Sequence, residues 1–505
     1  MPPICRQTWT RFSLDRTQLI FLSAFLLINV VLFSYAEHTR PYPEGPLISP
    51  TYQTAADGQR YWGVAISLAE KGSFSVPPLW DSRPEYPLAR SGPLTALIYS
   101  VPIRLVGFDK AAALIVVFQC FFLYIMAFSA RSLAHPFGVN PNIVQGLILF
   151  NPNLIGLSHL AQSDLLFAGI FTLFLSYLTR VFSALPNTSR SLFITIGLVL
   201  GLLTLIRDIG LAVSLFFPIA LFLTVAVSQA PLKSLMRTLG LGLLSGLLIY
   251  ILVITPWSIR NHLVFGQLCP VVGQIHQLHY NYLQLAHFKT SELTEPPDKY
   301  IVRQVNSVLR DRHQEHCAIH PDRPISTGCT RDIQKAYVIS IVSEPKLLLA
   351  KAVIYAATGT LTAGGSSRLI EYLGLDRGGN SRSSMESFSS LGSFRAYIFN
   401  WTRKDGQTKI LLVACFGFLL VTRIAGLVGI VNAFYQRPHS RHHQLFHLLM
   451  VSFFLGIYAA VSTSRFRAPL EPILMLYAAI GLECVVPNAV RRAKDALRFL
   501  LSRSK

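Results

Sequence analysis

Charged side chains stand at the ends of several long apolar runs, and their types suit one kind of chemistry. Asp57 follows the first apolar run by about twenty residues, Asp164 directly precedes LLFAGIF, and Arg207 and Arg260 each follow an apolar run. Ionisable groups in apolar membrane surroundings are expensive, so such residues mark candidate sites. A carboxylate aligned with a hydroxyl can accept its proton, and an arginine can stabilise the charge that grows on a phosphate leaving group.

The composition indicates which elements must position these side chains. Of the 505 residues, 14% are charged and 51% are hydrophobic, whereas soluble globular domains carry about 25% charged residues. Several runs of about 18 or more residues contain almost no charge, which is typical of membrane-spanning helices. We therefore predict an all-α, polytopic integral membrane protein. A soluble enzyme, a secreted disulfide scaffold and a disordered chain are excluded.

The net charge of +20 predicts contact with membrane lipid. In a membrane protein, Lys and Arg beside the spans set the orientation and contact anionic lipid. No basic stretch is interleaved with aromatic residues on a polar surface, so we expect no nucleic-acid partner.

Loop charge predicts about ten spans with both termini in the cytoplasm. The N-terminus is basic, and the tail 491–505 carries six Lys/Arg and one Asp. Segment 92–107 contains two prolines and is short for a span. Treating it as a span would reverse the charge bias of the following loops, so we predict a helix lying in the outer interface. The predicted spans are 18–36, 110–130, 140–157, 163–183, 191–206, 209–228, 237–256, 409–432, 445–463 and 467–487.

These spans divide the chain into four parts. The first is a seven-span catalytic module at 1–256, which includes the outer loop 37–91 and the interfacial helix 92–107. An exterior region at 257–408 follows. The last two parts are three spans at 409–487 and a basic cytoplasmic tail at 488–505. Segment 346–363 begins and ends outside. It is either an interfacial or re-entrant helix, or an eleventh span with a return near 385–400.

The first outer loop contains a second amphipathic helix. Tyr61, Val64, Ala65 and Leu68 have the i, i+3, i+4, i+7 spacing of such a helix over 57–70. Asp57 directly precedes the apolar stripe, in the N-cap position. Two interfacial helices after the first span are unusual for a transporter.

Six stretches of the sequence resemble motifs of the C-type (GT-C) glycosyltransferases, which use lipid-phosphate sugars. In order they are DGQRYWGVAISLAEKGSF, RPEYPLARSGPLTALIYSVPIRLVG, NPNLIGLSHLAQSDLLF, GLLTLIRDIG, ITPWSIRNHLVFGQL and SRFRAPLEPILML. The resemblance covers most of the chain and is strongest to the protein O-mannosyltransferase (glycosyltransferase family 39-like) and aminoarabinose transferase families. Two positions depart from it. Asp208 stands where the family has proline, and Gly58 stands where many relatives have a second acidic residue.

The resemblance implies transfer of one sugar from a polyprenyl phosphate to the hydroxyl of a glycan, lipid or protein, with inversion. It implies a site on the non-cytoplasmic face, facing the periplasm from a bacterial inner membrane. Asp57 would be the base, or would hold a divalent cation that orients the acceptor, with Glu85 as a further ligand. Because Gly58 replaces the second acidic residue, the metal remains an open possibility.

Further candidates could contact the substrates, and each has a structural alternative. The candidate substrate-binding residues are Asp164, Arg207, Arg260, Glu85, Asp81, Tyr61 and Arg465. Asp57 and Asp164 could instead only cap their helices, and Arg207 could only extend to the membrane interface. Arg260 could anchor its span at that interface. We favour Arg465 over Arg467 as a substrate contact.

Two rival classes of function remain. One is a transporter or a lipid-linked-sugar flippase, and the other is a non-catalytic assembly protein with the same fold. Transporters usually have internal repeats with broken helices in matching positions, and the sequence predicts neither.

The exterior region also contains Cys317 and Cys329, within a His-rich stretch. Oxidation is allowed on that side of a membrane, and the spacing matches no closed structural zinc pattern. A disulfide, two free thiols and a metal site all remain open for this pair.

Overall fold

The structure is a computed structural model. It describes residues 15–39, 51, 56–76, 86–87, 92–184, 188–226, 232–266, 268–270, 297–311, 330–343, 406–437, 440–458 and 464–485, together with isolated positions between 346 and 375. Within these ranges some side chains lie outside the description, including those of 56–60 and 464–466.

Helices make up nearly all of the described chain. In order they are α1 (Arg16–Thr39), α2 (Ala56–Lys71), α3 (Pro93–Val106), α4 (Ala111–Ala134), α5 (Pro141–Leu149), α6 (Pro152–Ser158), α7 (Ser163–Ala184), α8 (Arg190–Ile206), α9 (Ile209–Ala226), α10 (Leu232–Phe265), α11 (Pro297–Asp311), α12 (Thr330–Ser343), α13 (Gly406–Gln436), α14 (Arg441–Tyr458) and α15 (471–485). A 3₁₀ helix at Ser464–Leu470 leads into α15. Two short strands, β1 (Ser75–Val76) and β2 (Tyr86–Pro87), pair antiparallel with Ser75 opposite Pro87.

The helix lengths and compositions confirm the all-α, polytopic membrane class. Six of the described helices are long and apolar enough to cross a bilayer, and α8 and α9 are shorter apolar helices. Large apolar side chains are exposed on the outer helices, for example Leu27 at 66%, Leu252 at 68% and Ile410 at 73%. Such a surface is suited to contact with lipid.

Helix α7 occupies the centre of the bundle. The window of α7 that could cross the membrane is 78% buried, against 17% for α1. Its phenylalanines Phe167, Phe171 and Phe174 are fully buried, and Phe171 packs edge-on against Phe454 of α14 at 4.9 Å between ring centroids. The first residues of α7 therefore belong to the most buried of the six candidate spans.

The prediction of one continuous span at 140–157 was wrong. Helix α5 ends at Leu149 and α6 begins at Pro152. Asn151 caps α6, its side-chain oxygen accepting from the amide of Asn153 at 3.0 Å. Proline lacks the amide hydrogen and disfavours helical geometry in the residue before it, so the chain breaks at Asn151-Pro152.

Two further boundaries differ from the prediction. Helix α10 does not end at Pro256 but continues to Phe265, because Trp257, Ser258 and Asn261 are buried there and packing outweighs the proline penalty. Helix α2 begins at Ala56, so Asp57 lies in its first turn and not before it.

Candidate functional site

A buried ion pair joins two of the predicted site residues. Asp164 lies in the first turn of α7, and its Oδ1 accepts from Nη1 of Arg207. The side chains of Arg207 and Asp164 are 12% and 3% exposed. The positive end of the α7 dipole also favours the carboxylate at this position. The pair is thus a nearly dry, charge-compensated group at one end of the bundle.

Arg207 lies in a break between two helices. Its backbone is extended, with φ −148° and ψ 148°, directly after α8, and α9 begins two residues later. Gly210 lets the chain turn tightly, because a Cβ there would lie 2.3 Å from the carbonyl carbon of Leu203. A Cβ at Gly92 would lie 2.0 Å from the carbonyl oxygen of Leu205. Helix α3 therefore begins against the chain that carries Arg207.

Helix α2 meets the same end of α7. The hydroxyl of Ser163 donates to the hydroxyl of Tyr61 at 2.9 Å, which places Tyr61 one residue from Asp164. Asp57 precedes Tyr61 by four residues on α2, which is about 6 Å along a helix axis. Asp57 therefore lies on the helix that meets this end of α7, one turn before Tyr61.

The turn before α7 is held by two side chains that sequence reasoning missed. The hydroxyl of Tyr99 donates to the carbonyl of Gln162 at 2.8 Å. Gln119 Nε2 donates to the same carbonyl at 2.7 Å and to that of Leu160 at 3.2 Å. Burial raises the pKa of Tyr99 well above its ordinary value, so it stays a neutral donor. The available signal was Gln119 itself, a glutamine within an apolar run.

His159 connects this turn to two distant parts of the chain. Its Nε2 lies 3.0 Å from Oδ1 of Asn29 in α1, and its Nδ1 lies 3.2 Å from the hydroxyl of Tyr372. Burial lowers the pKa of His159 to about 3, so the ring is neutral near pH 7. Since the amide oxygen of Asn29 can only accept, Nε2 carries the proton and Nδ1 accepts from Tyr372.

Arg260 lies at the other end of α2. It donates to the carbonyl of Phe74 at 3.3 Å and to Oδ1 of Asn261 at 3.0 Å, and its guanidinium stacks on Trp257 at 4.6 Å. Phe74 follows the C-terminal end of α2, whereas Asp57 lies at its N-terminal end. These contacts suit the anchoring alternative, and a contact between Arg260 and phosphate stays a prediction.

Of the two arginines before the last span, the structure gives a role to Arg467. It is 1% exposed and pairs with Glu471, and it donates to the carbonyl of Thr360 at 2.8 Å. Arg423 of α13 also reaches Glu471, at 3.2 Å. Arg467 therefore ties segment 360–361 to α13 and α15. Arg465, which we predicted as the substrate contact, has its side chain outside the described residues, so that role stays a prediction.

The remaining carboxylates of the prediction are not described. The side chain of Asp57 and the whole of Asp81 and Glu85 lie outside the described residues. Where the structure is described, no group of three His, Cys, Asp or Glu residues could hold a metal ion. Cys317 and Cys329 also fall outside it.

Comparisons with known proteins give structural likenesses only. No family model and no curated protein matches the chain. Similar solved structures include ArnT from Cupriavidus metallidurans bound to undecaprenyl phosphate, with TM-score 0.38, 13% identity, and coverage of 89% of this chain and 78% of that one. Another is the archaeal oligosaccharyltransferase AglB from Archaeoglobus fulgidus in complex with an inhibitory peptide and a dolichol-phosphate, with TM-score 0.47, 11% identity, and coverage of 95% of this chain and 51% of that one. At such TM-scores function has to be argued from the chain's own residues.

Proposed function

We propose that this protein is a membrane glycosyltransferase that moves a sugar from a polyprenyl-phosphate donor to an acceptor hydroxyl on the non-cytoplasmic face. The observation that carries the proposal is the buried Asp164–Arg207 pair. It lies where α2, α7 and the break before α9 meet. On α2, Asp57 precedes Tyr61 by one helical turn. The six motif stretches quoted above are consistent with it.

The donor phosphate is the natural ligand of Arg207. In a single displacement the acceptor oxygen attacks the anomeric carbon, and the bond from that carbon to the phosphate oxygen breaks. The leaving phosphate gains negative charge, which a preorganised guanidinium stabilises. Asp164 holds the guanidinium in place and offsets its charge before the donor binds. Attack from the face opposite the phosphate inverts the configuration.

Asp57 is the base in this proposal. The acceptor hydroxyl loses its proton as the new bond forms, and a carboxylate in hydrogen-bond reach can accept it. If a divalent cation takes part, Asp57 and Glu85 would hold it, and it would orient the acceptor hydroxyl.

The break between α5 and α6 supports a second candidate function, a lipid-linked-sugar flippase or transporter. Discontinuous helices near the membrane interior line the substrate sites of many transporters. A flippase would move its lipid without breaking a bond, so it would not require Asp57 as a base. A non-catalytic assembly protein would not require it either.

Asp57→Asn separates these functions. Asn keeps the size of Asp, and in the first turn of α2 it gives up only a carboxylate–dipole interaction of about 0.3–1 kcal/mol, so folding should survive while proton abstraction is lost. Loss of a general base typically lowers the rate about 100- to 10,000-fold. The measurement is transfer of radiolabelled sugar from polyprenyl-phosphate donors, by purified protein, to a membrane extract of the source cells.

Asp109→Asn is the matched control, since Asp109 is an exposed carboxylate on the turn after α3. It should leave both sugar transfer and thermal stability unchanged. Near-normal transfer by Asp57→Asn at unchanged stability would reject the assigned base. Lipid transport without any sugar transfer by the wild-type protein would support the flippase.

A further inference from the structure

Gln162 is buried with its amide group unpaired. The residue is 2% exposed, yet neither Oε1 nor Nε2 has a hydrogen-bond partner. The large majority of buried polar side-chain atoms in proteins are paired, because leaving them unpaired is unfavourable. An amide kept in this state is a candidate for contact with a ligand.

The backbone of Gln162 is fixed although its amide is not. Tyr99 and Gln119 both donate to its carbonyl oxygen, at 2.8 and 2.7 Å. The next residue, Ser163, donates to Tyr61, and the one after that is Asp164 of the ion pair. The unpaired amide therefore belongs to a rigid turn, two residues from the group assigned to the donor phosphate.

We propose that the amide of Gln162 binds hydroxyl groups of the sugar in the polyprenyl-phosphate donor, and so helps to select that sugar. This assignment rests on the proposed function. A primary amide offers two N–H donors and an oxygen acceptor, which complement hydroxyls on neighbouring carbons of a neutral sugar. The sugar is bonded directly to the phosphate, so its binding group must lie near Arg207 and Asp164, as Gln162 does.

The test compares lipids with and without the sugar, bound to the protein in nanodiscs. The probes are undecaprenyl phosphate and undecaprenyl-phosphate-linked glucose, mannose and galactose. Gln162→Leu should weaken binding of the sugar-bearing lipid preferred by the wild type about tenfold, the scale of one or two hydrogen bonds. Binding of bare undecaprenyl phosphate should not change. Thermal stability without ligand should stay equal or rise, because an apolar side chain of similar size replaces an unpaired amide.

Gln145→Leu is the matched control. Gln145 is also fully buried and its Nε2 is unpaired, but its Oε1 accepts from Nη1 of Arg131 at 2.8 Å. Its loss should therefore lower the thermal stability and leave the lipid preference unchanged.

Three results with Gln162→Leu would overturn the assignment. An unchanged preference for the sugar-bearing lipid would show that the amide contacts only water. Equal weakening of binding to both lipids would show that the amide contacts the phosphate. A clear loss of thermal stability would show that the amide has a structural role. Failure of the wild-type protein to bind either lipid would instead reject the proposed function, and this assignment with it.

Discussion

At the scale of single residues, the ion pair changes what removing Arg207 should do. An exposed arginine at the interface could be lost at little cost, but Arg207 compensates Asp164, whose side chain is only 3% exposed. Removing one partner of a buried pair leaves an uncompensated charge and destabilises by about 3–5 kcal/mol in soluble proteins. Activity alone would therefore not separate a donor contact from a structural role.

Comparing Arg207→Ala with the double variant Arg207→Ala/Asp164→Ala separates them. The single variant should lose both thermal stability and affinity for undecaprenyl phosphate, the latter about 10- to 100-fold, as for a charge-assisted hydrogen bond. The double variant removes both charges and should recover most of the stability but none of the affinity. Thermal unfolding and lipid binding in nanodiscs measure the two effects. If the double variant also regains lipid affinity, Arg207 does not bind the phosphate.

The sequence was informative about individual residues and less so about their partners. Asp164 and Arg207 stood out because ionisable groups are costly in apolar surroundings, and Tyr61 stood out through the amphipathic spacing of its helix. The structure brings the three together. Forty-three positions separate Asp164 from Arg207, and no local pattern encodes their contact. Arg467 differs, because its partner Glu471 lies four residues on, at the i, i+4 spacing that a sequence can show, whereas the role of Arg465 stays a prediction.

At the scale of elements, glycine contacts bring α8 and α10 together and so position Arg207. A Cβ at Gly197 of α8 would lie 2.0 Å from the carbonyl oxygen of Gly246 in α10. Small residues allow membrane helices to approach closely and gain packing energy. The helix that ends beside Arg207 is therefore fixed by a backbone contact in its middle.

Gly197→Ala should force these two helices apart. Added atoms in a packed interface typically cost about 1–3 kcal/mol, and the displaced end of α8 should also weaken lipid binding. Gly240→Ala is the control, since a Cβ at that exposed position of α10 meets nothing within 4 Å and alanine favours a helix. Thermal unfolding of both variants in detergent measures the effect. Equal stability of the two would show that the helices tolerate a wider spacing.

Helix interruptions show where sequence reasoning fell short at this scale. The chain reads Asn-Pro-Asn at 140–142 and again at 151–153, and each begins a helix capped by its first asparagine. The uniform hydropathy of 140–157 predicted one helix. The second helix start, at Pro152, follows from the rule that a residue before proline disfavours helical geometry. The span predicted to end at Pro256 continues as helix to Phe265, because burial of Trp257 and Asn261 overrides the proline penalty.

At the scale of the whole molecule, hydropathy was sufficient to locate the apolar helices, of which six are long enough to cross a bilayer. The ten predicted spans correspond to α1, α4, the broken α5–α6 pair, α7, α8, α9, α10, α13, α14 and the α15 region. The agreement has a physical cause, since the bilayer requires long apolar helices whatever their packing. The orientation of the bundle is not fixed by helix positions and remains a prediction from loop charge.

Helix α3 decides that orientation. It has 14 residues and is about 21 Å long at 1.5 Å per residue, shorter than a hydrocarbon core of about 30 Å. If it lies in the outer interface, Asp109 beyond its end is outside and Gln436 at the end of α13 is inside. Both positions are exposed. In a variant with the seven native cysteines replaced, a membrane-impermeant maleimide should label Asp109→Cys in intact cells, and Gln436→Cys only after permeabilisation. The reverse pattern would make α3 a span and place the Asp164–Arg207 pair at the cytoplasmic face, where the proposed transfer could not occur as described.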